Sequence, residues 1–256
     1  MPAKKLPPGE RPLKTLERVV SKSGLGSRRE ARSWIAAGRA AVNGTTVVDP
    51  DRWVDLERDQ VTFDGEPLAP RRLVYLLLNK PAGILTTYRD PQKRPTVYEL
   101  LPPGLGFLIP VGRLDLDTSG LLLMTSDTTF AETVTNPRYG VPKTYRVEAS
   151  RHLDESELAR LREGVELSDG PTRPAAVERV GEREGRTTFE MTITEGRNRQ
   201  VRRMVEAIGG RVERLERIAI GPLTAEGLEP GGVRELTQAE MESLVRSSRG
   251  DAGPKG

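Results

Sequence analysis

The sequence predicts an α+β protein in two units: a small helix–helix–hairpin unit, then a larger domain whose mixed, largely antiparallel sheet is flanked by helices. Three observations lead there. Strand-length apolar runs recur between short helices, without the regular long crossovers of a doubly wound fold. Two S/T-x-x-E boxes, at Ser27 with Glu30 and Thr237 with Glu240, mark helix starts. Asn43-Gly44, set between two apolar segments, is the strongest two-residue hairpin signal. A chain of 256 residues is comfortable for two domains.

In chain order, residues 1–12 are rich in Pro and Lys without periodicity and read as a disordered tail. The first unit is expected over 13–66. Leu13, Leu16, Val19 and Val20 mark one face of a short helix ending near Gly24, and Ser27 opens a second helix with Ala31, Trp34 and Ile35 inward. Strands are expected at Ala40–Val42 and Thr45–Val48 around the Asn-Gly turn, then at Trp53–Leu56 and Gln60–Phe63. Residues 67–72 read as a linker and 73–246 as the larger domain. Leu73–Leu78 is a continuous apolar run suited to a strand buried on both faces. Further strands are expected at Gly120–Thr125, Thr144–Ala149 and Thr187–Thr194, with helices at Glu155–Arg162, Asn198–Ile208 and from Thr237 to about Val245. The Gly- and Ser-rich end, 247–256, reads as a second tail.

Composition removes several function classes. No apolar run reaches the roughly 20 residues of a membrane span, and MPAKKLPPGERP has no apolar core of a secretory signal. The cytoplasm is the expected compartment. With no cysteine and one histidine, His152, neither a thiolate nucleophile nor a histidine–cysteine metal centre is available. No phosphate-binding glycine motif is present, and His152 lies in a polar stretch unsuited to a Ser–His–Asp system. What remains is chemistry by a carboxylate, a phenol and a guanidinium.

The net charge of +3 hides a division. Residues 1–40 hold ten Lys or Arg against three Glu, and seven Arg gather between Gly196 and Arg217. Clustered cations are the footprint of a phosphate-binding surface. Lys22, Arg28, Arg29, Arg32 and Arg39 lie off the apolar face of the first unit, and only Glu30 is expected to neutralise them. A solvated helix face is the structural alternative. The stretch LERVVSKSGLGSRREARSWIAAGRAAVNGTTV resembles the S-four RNA-binding domain along its whole length.

The segment VGRLDLDTSGLLLMTSD places a polar loop between Gly112 and Gly120 before a buried strand. Such a loop can be a plain Asx turn or an active-site loop on a rigid scaffold. Its G-R-L-D-x-x-T-S-G-L-L-L wording resembles the signature loop of the ribosomal RNA pseudouridine synthases. LLLNKPAGILTT, KTYRVEA and EGRNRQVRRMVEAIG extend the likeness, the last resembling the large-subunit branch more than the small-subunit one.

The resemblance implies isomerisation of uridine without a cofactor. Asp115 would be the essential carboxylate, as nucleophile at C1′ or as a base forming a glycal, with Asp117 and Asp127 uninvolved. Tyr145 would stack on the target base, and Arg202 would hold Asp115 through a bidentate contact. A strand tyrosine in the core and an Arg202–Glu206 surface pair are the plainer alternatives. Arg113 and Lys80 would contact substrate, Leu223 would wall the uridine pocket, and Arg199 would join the RNA-binding cations. The implied partner is ribosomal RNA, as a single-stranded loop or a flipped uridine, or a ribosome precursor, bound by a monomer. A non-catalytic RNA-binding assembly factor and a nucleoside glycosidase are the rival classes.

Overall fold

The computed structural model describes residues 13–56, 58–68 and 73–248. The tail expected at 1–12 lies outside the described residues, as do 69–72 of the expected linker and 249–256 of the second tail. The described residues divide into two compact units, those up to 73 with 103–108, and those of 74–102 with 109–248.

The first unit runs β1 (Lys14–Thr15), α1 (Leu16–Lys22), α2 (Arg28–Ala36), β2 (Ala40–Val42), β3 (Thr45–Thr46), β4 (Trp53–Val54), β5 (Val61–Phe63) and β6 (Glu66–Pro67). The Ser27 capping box forms in full, each partner satisfying the other's backbone N–H. Asn43 and Gly44 both take positive φ, 51° and 78°, which a two-residue turn of this hand requires. Leu16, Val20, Ala31 and Ile35 close a core against Val42, Val54 and Val61. Leu13, expected on the buried face, is half exposed because the helix starts after it.

The second unit contains β7 (Tyr75–Lys80), β8 (Ile109–Val111), β9 (Thr118–Thr125), α3 (Thr128–Thr135), β10 (Lys143–Ala149), α4 (Glu155–Glu163), β11 (Glu166–Leu167), β12 (Gly170–Pro171), β13 (Ala176–Arg183), β14 (Arg186–Ile193), α5 (Gln200–Ala207), β15 (Val212–Ile220), β16 (Leu223–Thr224), β17 (Val233–Glu235) and α6 (Gln238–Ser247). Its sheet has the order β13-β14-β10-β15-β9-β7-β17, with β8 on β9 and β16 on β15. All of these pairings are antiparallel except β15 with β9. The α+β fold with a mixed, largely antiparallel sheet is therefore the one observed. The apolar run on β7 is buried as expected, Leu76, Leu77 and Leu78 being at most 2% exposed.

Two cores brace the sheet. One gathers Val147, Leu158, Leu161, Phe189, Met191, Met204 and Val205 with their neighbours. The other joins Leu121, Leu123, Phe130, Val134, Ile220 and Leu244. Asp127 caps α3 through the N–H groups of Thr129 and Phe130 and accepts the Tyr75 hydroxyl at 3.0 Å, so its role is local. No helix among the described residues is long and apolar enough to cross a membrane.

Candidate active site

Between β8 and β9 lies the polar loop singled out in the sequence, and its backbone is pinned from several sides. The Thr86 hydroxyl donates to the Leu114 carbonyl at 2.8 Å. Gly83 N–H donates to Leu116 at 2.7 Å, and Thr118 N–H to Asp115 at 3.1 Å. The Lys80 ammonium donates to three carbonyls, those of Pro81, Asp115 and Thr118, at 3.1, 3.1 and 2.7 Å. Burial pushes Lys80 down to about 8, against the pull of Asp117 and Asp115. It is fully buried and does not line the cleft described below. Lys80, expected to contact substrate, instead holds the loop from inside.

Gly120 explains the glycine that ends the loop. Its φ is 102°, and a Cβ there would stand 2.3 Å from the Arg217 carbonyl oxygen. The parallel pairing of Thr118–Gly120 with Leu215–Arg217 brings the two backbones that close. Only glycine fits.

The loop opens onto a cleft of about 370 Å³ within the second unit, a size suited to a small organic group. Asp115 is the only acid among the residues lining it. Tyr145, half-buried on β10, lines it as well, beside Arg113, Lys143, Arg197, Arg199 and Arg217. Ile193, Leu215, Ile220, Val111 and Val134 supply apolar wall. Leu223 does not: it is 4% exposed and packs into the core with Ile220 and Leu244. It is the cross-strand partner of Ile220 in the pairing of β15 with β16.

The arginines of α5 divide differently from the expectation. Arg202 makes no pair with Asp115. Its Nη2 lies 3.0 Å from Asp117 Oδ2 and donates to the Asp117 carbonyl at 3.2 Å, while Nη1 donates to the Val212 carbonyl at 3.3 Å. It is 5% exposed, neither off the buried stripe nor paired on the surface with Glu206. Arg199 instead stands 3.4 Å from Asp115 Oδ2 and 3.6 Å from Asp117 Oδ1. It precedes α5 in the left-handed region, φ 47°. The helix begins at Gln200, not Asn198, because Arg199 is turned out of helical geometry. Buried Gln200 ties the approach: it accepts from Arg197 N–H at 3.0 Å and donates to Glu195 at 2.6 Å.

Lys143 and Arg217 were missed. Both line the cleft, at 9% and 3% exposure. Lys143 had a readable signal, since residues two apart on a strand share a face and it precedes Tyr145 by two. Arg217 had none, because it sat inside the basic stretch Gly196–Arg217. That stretch is not one surface. Arg202 and Arg217 are buried, Arg203 pairs with Asp169 at 2.8 Å, and Arg211 pairs with Glu213.

In the first unit the cations are also less free than expected. Glu17, nearly buried, accepts from Arg28 Nε at 3.0 Å and from Arg32 at 2.9 Å. Burial alone would raise Glu17, but the bonds from Arg32 and Arg28 hold it below the usual range. Arg32 also forks onto Asp51. Arg39 forks onto Asp64 and lies over Phe63 and Trp34, 4.6 and 5.4 Å from the ring centroids. Glu30 is thus not the lone counter-charge; Glu17, Asp51 and Asp64 come from segments distant in sequence. Arg29 is exposed and has no ion-pair partner among the described residues. Lys22 is exposed at the end of α1.

Comparison with known proteins bears on both units. Residues 74–207 match the model of the RNA pseudouridylate synthases, and residues 15–61 that of the S4 domain. A protein of Aquifex aeolicus named an uncharacterized RNA pseudouridine synthase is 40% identical over 91% of this chain and 94% of its own length. The ribosomal large subunit pseudouridine synthase B of Bacillus subtilis is 36% identical over 91% and 96%. A crystal structure of a pseudouridylate synthase superposes with a TM-score of 0.65 at 34% identity, covering 90% of this chain and 99% of that one.

Proposed function

The chain belongs to the RNA pseudouridylate synthase family, and from that premise we propose that it isomerises uridine to pseudouridine in ribosomal RNA of the large subunit, with Asp115 as the catalytic carboxylate. One observation carries the reading. The cleft is lined by a single acid, Asp115, whose carboxylate faces Arg199. Glycoside hydrolysis uses a pair of carboxylates, one to protonate the leaving group and one to activate water or attack. Isomerisation retains the base and consumes no water, so one carboxylate is enough.

In this reading Asp115 acts on the ribose, as a nucleophile at C1′ or as a base that forms a glycal. The bond from C1′ to N1 breaks, the base turns, C1′ joins C5, and the C5 proton is lost. Tyr145, half-buried in the cleft wall, stacks on the base. The target leaves its helix or comes from a loop, since a stacked, paired uridine exposes neither C1′ nor C5. The preference for large-subunit RNA rests on the Glu195-Gly196-Arg197-Asn198-Arg199-Gln200 wording and on the Bacillus subtilis relative. The first unit supplies phosphate contacts that place the RNA, while the cleft selects the base.

The test is Asp115→Asn in purified enzyme with ribosomal RNA, scored by pseudouridine mapping. Pseudouridine formation is expected to vanish while RNA affinity stays within about threefold, because a single phosphate-free side chain contributes little to backbone binding. Substantial turnover by the variant removes Asp115 from the mechanism.

A further inference from the structure

Two buried cations lining the cleft have no counter-charge among the described residues. The Lys143 ammonium, 9% exposed, makes no hydrogen bond or ion pair among the described residues. Arg217, 3% exposed, donates through Nε to the Leu121 carbonyl at 2.7 Å, but its Nη2 is buried with no partner. They are neighbours in the sheet. Tyr145 pairs with Arg217 across β10 and β15, and Lys143 lies two residues before Tyr145 on the same face. Burial and the charge of Arg217 push Lys143 down to about 8, with no carboxylate pulling it back.

Burying one cation beside another without a counter-charge is unfavourable, and an apolar side chain would fill the same space at less cost. Donors left open in a cleft point to a ligand that brings acceptors. The one acid of the cleft, Asp115, has Arg199 at hand. Resting on the reading above, we propose that Lys143 and Arg217 receive the carbonyl oxygens of the target uracil and stabilise the negative charge that the base acquires as it leaves C1′. When the C1′–N1 bond breaks, its electron pair stays on the base and spreads from N1 over O2 and O4. The base then returns a pair through C5 to form the C1′–C5 bond, C5 gives up its proton, and N1 takes one. Fixed donors aimed at developing charge in a closed site are the strongest form of electrostatic catalysis. The same donors select uracil over cytosine, whose exocyclic amine presents hydrogens where uracil presents O4.

A flipped nucleotide inserts its base and leaves its phosphates on the protein surface, so donors that line the cleft meet the base. Phosphate contact is the competing outcome and is separable by experiment. Lys143→Met is the informative variant, since the ammonium holds no structural hydrogen bond to be lost. The measurements are the single-turnover rate at saturating enzyme, the RNA dissociation constant across salt, and the thermal midpoint. We expect the rate to fall about a hundredfold or more, as for loss of one oxyanion donor, with affinity and salt slope unchanged and a midpoint no lower than wild type. Lys143→Arg should recover much of the rate. A Lys143→Met rate within threefold of wild type overturns the proposal. So does a loss confined to affinity with a flatter salt slope, which assigns Lys143 to phosphate. Should Lys143→Met fail to fold, Lys143→Gln carries the same expectations. The wild-type enzyme in the same assay keeps the two readings apart: no pseudouridine from it refutes the function itself, whereas normal wild-type turnover with an active variant refutes only the role of Lys143.

Discussion

At the scale of the residue, position and partnership were legible to different degrees. Asp115, Tyr145, Arg113 and Arg199 all reach the cleft, and each stands in a motif that can be read from the sequence. Which arginine meets which carboxylate could not be read, because Arg199 and Arg202 lie more than eighty residues from the loop they touch. The observed pairing changes what substitution should do. Arg202 ties two carbonyls and the Asp117 carboxylate together from a buried position. Lysine cannot reproduce that planar fork, and a buried acceptor left open costs about 1–3 kcal/mol. Arg202→Lys is therefore expected to lower the free energy of unfolding in urea by about that amount and to slow turnover on the order of a hundredfold through a displaced Asp115. Arg199→Ala should slow turnover while leaving stability nearly unchanged, since so exposed a pair contributes about 0–1 kcal/mol. Equal stability and equal rates in Arg202→Lys and wild type would dismiss the fork as a support of the loop. Asp117→Asn should weaken the same fork.

At the scale of the element, sequence signals succeeded where the cause of structure is local. The capping boxes at Ser27 and Thr237 both form, as does the Asn43-Gly44 turn. The central strand β15 was invisible. Its apolar residues Val212, Leu215 and Ala219 mimic helical spacing, and register shifts against β10 break the alternation a strand would show. α3 was hidden by its threonines and by the apparent membership of its cap, Asp127, in the loop motif. β15 matters because it alone runs parallel to β9 and carries Arg217 to the cleft. Gly120→Ala tests that junction. The added Cβ would meet the Arg217 backbone, in a conformation unfavourable to any side chain. Backbone strain and overpacking together should destabilise the fold by about 2–4 kcal/mol, with turnover lost in the fraction that still folds. An unfolding midpoint equal to that of wild type would mean that β9 and β15 are not held in this register.

At the scale of the whole molecule, the sequence displays every cation but not which acids consume them. The excess of ten basic residues over three glutamates in 1–40 suggested an open phosphate-binding face. Folding brings Glu17 to Arg28 and Arg32, Asp51 to Arg32 and Asp64 to Arg39. Arg39 is further committed to the faces of Trp34 and Phe63. Arg29 keeps its charge for a ligand, whereas a phosphate must displace an acid to take Arg39. Each phosphate neutralised on a single strand or duplex adds about 0.7–0.9 to the slope of log affinity against log salt. If the first unit places the RNA, Arg29→Ala should flatten that slope by about this amount. Arg39→Ala should leave it unchanged and instead lower the thermal midpoint, because a fork onto Asp64 and two ring contacts are lost. Glu17→Gln should steepen the slope by releasing Arg28, since Arg32 keeps its fork onto Asp51, and should lower the midpoint by leaving a buried site without its ion pairs. The measurement is a binding titration on one RNA over a range of salt, paired with thermal unfolding of each variant. A flattened slope in Arg39→Ala with none in Arg29→Ala would reverse the assignment, making the Asp64 fork a latch that RNA opens.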